Sequence, residues 1–140
     1  EEEVFQAIVK GEAKPGVVQV LDEAKRRGFL LADGASCDDE WVHGHLKRLG
    51  MFERFDAIGT SDDVRNAKPE TDIFLKVLEK TGVTAEHALV LEDSQHGVLA
   101  AHRAGIRAIA VPNPITKDQD FSLATAVVPS LVGFDPELYF

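Results

Sequence analysis

Apolar positions along the chain fall into two alternating patterns. The runs FLLAD (29–33), FDAIGT (55–60), ALVLE (88–92) and IRAIAV (106–111) are short, like strands, and too apolar to leave one face in water. Between them the spacing becomes helical. Val17, Val20, Leu21 and Ala24 follow Pro15 and stop at Gly28, and Ile73, Phe74, Val77 and Leu78 follow Pro69 and stop at Gly82. Asp38 or Asp39 is placed to cap a helix through EWVHGHLKRLG, and Ser94 to cap one that runs through Ala104 to Gly105. A further short apolar run spans 126–128, and the opening EEEVFQAIVKGE reads as the tail of a helix. Strands alternating with helices predict an α/β, three-layer, Rossmann-like parallel sheet with helices on both faces.

In such a sheet ligands bind beyond the carboxyl ends of the strands. Three polar clusters fall there: Asp33 to Ser36, Thr60 to Asp63, and Glu92 to Ser94. Glu92 and Asp93 offer the hard oxygen ligands that Mg2+ prefers. From the residues alone, a metal role for this pair weighs evenly against a strand-end acid pair beside a helix start, with Ser94 as the cap.

Composition narrows the classes. A net charge of −9 disfavours non-specific nucleic-acid binding. The single cysteine, Cys37, cannot form an internal disulfide, and no histidine is paired with it for cysteine catalysis. No apolar stretch approaches the roughly 20 residues needed to span a membrane, so no membrane association is expected. With no signal-peptide pattern at the start, the cytoplasm is the expected compartment. The five histidines share no ligand spacing, and no Gly-x-Gly-x-x-Gly follows any strand, which argues against a dinucleotide site.

Several spaced features carry a resemblance: Lys68-Pro69 with Asp72 following, Glu92-Asp93-Ser94 with Gly97, the segment AAHRAGIRAIAVPNP, and EWVHGHLKRLGMFERFDAIGTSDDV. Over about Lys14 to Pro136 the chain resembles the haloacid dehalogenase-like hydrolases, in the branch of beta-phosphoglucomutase-like phosphatases and mutases. The resemblance implies Mg2+-dependent phosphoryl transfer through an aspartyl-phosphate, with a small phosphorylated metabolite of sugar phosphate type as substrate. It places the family's lysine on Lys68, a catalytic and phosphate-binding group. Asp93 falls at the metal-ligand position, and Glu92 falls beside it or just behind. Ser36 is the candidate phosphate-binding hydroxyl, because Ala35 stands at the usual hydroxyl position; an ordinary loop serine is the equal alternative. Asp63, Ser94 and Asp72 are supporting residues, and Gly97 permits close packing.

The family's nucleophilic aspartate lies on a first, central strand ahead of a helical cap. The expectation is therefore that residues 1–14 are the end of the cap and its return linker, and residues 15–140 the C-terminal portion of the core. The first strand and most of the cap would lie upstream, or a second chain would complete the sheet. The alternatives are a phosphomutase, or an incomplete or inactive chain kept for structure or binding, so activity of these 140 residues alone stays open. A phosphoacceptor receiver domain fits poorly, since the order of its acidic strand ends differs.

Overall fold

The computed structural model describes residues 7–10, 16–35, 38–63 and 72–140. These build a parallel six-stranded sheet: β1 (Ala7–Lys10), β2 (Leu30–Gly34), β3 (Ala57–Gly59), β4 (Ala88–Glu92), β5 (Arg107–Ala110) and β6 (Ala126–Val127), in the order β3-β2-β1-β4-β5-β6. The helices are α1 (Val17–Arg26), α2 (Asp39–Arg48), α3 (Asp72–Thr81) and α4 (Gln95–Arg103).

The apolar spacing decides which face each element covers. Alternation along β4 sends Leu89 and Leu91 to the layer that holds Leu21, Val42 and Leu46 of α1 and α2. Ala88 and Val90 go to the layer that holds Phe74 and Val77 of α3 and Val98 and Ala101 of α4. The three-layer expectation therefore stands. Helix stops also fall where expected: Gly28, Gly50, Gly82 and Gly105 follow the four helices at φ +89°, +70°, +73° and +76°, a region disfavoured for side chains with a Cβ. Asp38 caps α2 by accepting the Trp41 N–H at 2.8 Å, which resolves the choice between Asp38 and Asp39. Pro15 lies outside the described residues; the cap position of α1 is Gly16.

Residues 7–10 differ from the helix-tail expectation. They form β1 in the middle of the sheet, with Ala7 opposite Leu30 on one side and Ala88 on the other. The physical reason is tertiary. Ile-Val has the β-branched character that strands favour, and β2 and β4 would otherwise each present a bare edge. The strand's sequence, AIVK, contains no aspartate.

The C-terminal segment folds back over α1. Leu131 is fully buried, and the backbone of Leu131 and Val132 lies so near Gly16 that a Cβ there would come within 2.7 Å of the Val132 nitrogen. Arg27 pairs with Asp135 at 3.0 Å and Glu137 at 3.3 Å, and the rings of Phe29 and Phe140 sit 5.4 Å apart.

Two carboxylates tie loops to this frame. Asp56 accepts the Leu31 N–H at 2.8 Å and the Lys25 ammonium at 2.9 Å. Asp63 accepts the Thr60 N–H at 2.9 Å and the Lys80 ammonium at 3.1 Å. Partial burial acts to raise both carboxyls, but these donors outweigh it and hold both below the ordinary carboxylate range. A carboxyl lowered in the folded state contributes stability that is complete above its unfolded pKa and is lost as pH falls through the folded value. Asp63→Asn is therefore expected to reduce stability by about 1 kcal/mol at pH 7, an amount discounted for solvent screening. The difference from wild type should shrink as pH drops below about 4. Urea unfolding at pH 7 and pH 3 measures both effects.

Candidate functional site

The carboxyl ends of all six strands share one edge. Strand β4 delivers Glu92 and Asp93 there, and a sharp turn follows into α4, capped by Ser94 Oγ accepting the Gly97 N–H at 3.1 Å. The alternation that buries Val90 against α3 and α4 also turns Glu92 to that face. Glu92 is fully buried, with its carboxylate under the first turn of α4, where it accepts the Asp93 N–H at 3.1 Å and the Ser94 hydroxyl at 3.4 Å. The positive end of the α4 dipole favours a negative group at this place. Gly97 is what makes room: a Cβ there would lie 2.0 Å from Glu92 Cδ. The close packing expected of Gly97 is thus a cradle for a carboxylate.

Asp93 stands one residue further out and is only half-buried. Its Oδ2 accepts a hydrogen bond from Asn113 Nδ2 at 2.9 Å. Asn113 follows β5, whose end is latched to β4 by the Val111 N–H on the Glu92 carbonyl at 2.8 Å. Asn113 is not among the residues that the sequence pattern singles out, yet Asn-Pro-x-Thr soon after a strand is a turn signal of side chain closing on backbone.

The second polar cluster is a structural brace. Thr60 is fully buried, its hydroxyl bonded to Asp39, and the Asp39 N–H donates to Asp62 Oδ2 at 2.7 Å. Asp63 is engaged with Thr60 and Lys80, and Asp72 begins α3 as a first-turn acid. In the first cluster Asp33 is buried within β2, and Ala35 is buried with the α1 and α2 core, its N–H on the Gly59 carbonyl. Ser36 and Lys68 lie outside the described residues.

Glu92 and Asp93 are adjacent hard oxygen donors, one enclosed and one at the edge, which suits Mg2+. Among the described residues no group of three or more Asp, Glu, His or Cys converges. Since Mg2+ keeps several waters, one or two carboxylates from this edge fit as part of a site.

The model of the family described as haloacid dehalogenase-like hydrolase matches residues 2–111. The chain belongs to that family. The haloacid dehalogenase-like chain is 37% identical over 135 residues to the haloacid dehalogenase-like hydrolase domain-containing protein At4g39970 of Arabidopsis thaliana, covering 92% of this chain and 43% of that protein. It is 38% identical over 106 residues to the phosphorylated carbohydrates phosphatase of Thermotoga maritima, covering 76% and 48%. Among solved structures it is similar to CbbY from Rhodobacter sphaeroides in complex with phosphate, with TM-score 0.80 and 34% identity over 85% of this chain and 54% of that one. A CbbY variant from the same bacterium, in complex with xylulose-(1,5)bisphosphate, aligns with TM-score 0.79. The chain thus spans about half the length of these relatives. The expected branch, close to CbbY and beta-phosphoglucomutase, is the one that these similarities support. Among the described residues no helix is long and apolar enough to cross a membrane.

Proposed function

We propose that the intact protein hydrolyses a small phosphorylated metabolite of sugar phosphate type in an Mg2+-dependent reaction that passes through an aspartyl-phosphate. The observation that carries this reading is the enclosed Glu92 with Asp93 at the edge of β4, in a chain of this family. The relatives' names support the substrate class: one is a phosphatase of phosphorylated carbohydrates, and CbbY holds phosphate or a sugar bisphosphate.

In this reading Asp93 holds the cation, and Glu92 supports it from beneath α4. Mg2+, when bound, supplies positive charge that offsets charge on the phosphoryl group. Lys68 neutralises phosphoryl oxygens as their charge develops, and Ser36 donates to one of them. Ser94 and Gly97 hold the turn that presents the pair, while Asp72 and Asp63 brace neighbouring loops. The attacking aspartate is supplied by a segment other than β1, whose sequence AIVK contains none, and the reaction takes place in the cytoplasm.

The test is a phosphatase assay of the intact protein over a panel of sugar phosphates. Phosphate release that vanishes with EDTA, returns with Mg2+, and falls by about 100-fold or more in Lys68→Ala is expected. Turnover that ignores EDTA would overturn the metal-dependent reading. Ser36→Ala should cost about 3 kcal/mol of transition-state stabilisation if Ser36 contacts phosphate, and nothing if it does not.

A further inference from the structure

We propose that Asn113 is a positioning residue for Asp93, donating its side-chain amide to the carboxylate. The inference rests on the metal role proposed for Asp93 and concerns this chain's own side chains.

The amide orientation is fixed by chemistry. Asn113 Oδ1 accepts the Ile115 N–H at 2.8 Å, the Thr116 N–H at 2.9 Å and the Thr116 hydroxyl at 3.2 Å. The Thr116 hydroxyl in turn accepts the Asn113 N–H at 3.0 Å, and Thr116 is buried. Flipping the amide would set its NH2 against two backbone donors and aim an oxygen at the Asp93 carboxylate. Neither arrangement can form hydrogen bonds, so the NH2 must face Asp93. The donor sits on a base that cannot drift, because β5 pairs Ala110 with Glu92 and the Val111 N–H is bonded to the Glu92 carbonyl.

The choice of a neutral donor matters. At position 113 itself, a lysine or arginine would orient the carboxylate but add positive charge where a cation must bind. An amide orients it without that competition, and an accepting carboxylate oxygen keeps lone-pair capacity. The bonds that the turn makes to the Asn113 side chain use only Oδ1, so the NH2 contact with Asp93 is additional to them.

The experiment measures Mn2+ affinity of the intact protein by electron paramagnetic resonance, without substrate, beside the melting temperature of the metal-free protein. The variants are Asn113→Ser, Asn113→Ala, Thr116→Val and Asp93→Asn. Serine keeps an oxygen for the Thr116 N–H and alanine does not, so the two differ in stability, but neither reaches Asp93. Both are expected to weaken Mn2+ binding alike, by about 10–100-fold. Thr116→Val removes the hydroxyl but keeps the Asn113 amide and the Ile115 and Thr116 N–H bonds that hold its Oδ1, so its affinity should stay close to wild type. A loss smaller than about fivefold in whichever Asn113 variant folds overturns the proposal. So does an equal loss in Thr116→Val. If Asp93→Asn abolishes binding while the Asn113 variants do not, the positioning inference alone fails. If Asp93→Asn binds Mn2+ like wild type, the metal reading itself fails, and this inference with it.

Discussion

Asp93→Asn in the intact protein is expected to lower Mg2+-dependent phosphatase turnover by at least about 100-fold. The substitution is a clean one. Asparagine has nearly the same shape, and its side-chain oxygen can still accept from Asn113 Nδ2, which Asp93 now meets at 2.9 Å. Ser94 continues to cap α4 through the Gly97 N–H, so the turn is unaffected. What disappears is one negative charge at the edge of β4, and with it the attraction for a hard cation. Melting temperature should barely move. Steady-state kinetics with saturating Mg2+ decides the matter: unchanged turnover would return Asp93 to the role of an acid at a helix start.

Gly97→Ala is expected to destabilise the protein by about 2–3 kcal/mol, although propensity alone predicts the opposite. Inside a helix, alanine is better than glycine by about 1 kcal/mol. At Gly97, however, the new methyl would lie 2.0 Å from Glu92 Cδ and 2.2 Å from Oε2, and Glu92 is fully buried with no solvent to turn into. Either α4 lifts from the sheet or the carboxylate leaves its place under the helix. Gly44 supplies the internal control. It also sits within a helix, α2, but a Cβ there meets only the mobile end of Arg48 at 3.5 Å. Gly44→Ala should be neutral or stabilising by up to about 1 kcal/mol. Urea denaturation of both variants tests the pair of signs, and equal behaviour would mean that the Glu92 cradle does not constrain the fold. Glu92→Ala added to Gly97→Ala should recover part of the loss.

Local signals in the sequence were enough for β4 and the start of α4. ALVLE is a run apolar enough for burial on both faces, and Ser94 is followed three residues later by the N–H it accepts, so both lie within a few residues of their cause. The acidic pair was legible for the same reason. Strand β6 was not: two residues, Ala126 and Val127, gain strand character only from Ile109 and Ala110 beside them. Residues 7–10 looked like a helix tail because their strand geometry is imposed by β2 and β4, which lie far along the chain. Asn113 was missed because its partner is 20 residues away, and a turn signature says nothing about which side chain a spare amide will meet. Asp62 and Asp63 were placed at the right edge, but the Thr60–Asp39 and Lys80 contacts that occupy this cluster needed coordinates.

The fold-back of the C-terminal segment has a consequence for synthesis. Leu131, Phe140 and the Asp135–Glu137 pair complete the cover over α1 and Phe29, elements made more than a hundred residues earlier. A nascent chain therefore carries an unsealed apolar face on α1 for most of its passage from the ribosome. That face is open to chaperones and to other nascent chains until residues 129–140 have been made and can close over it.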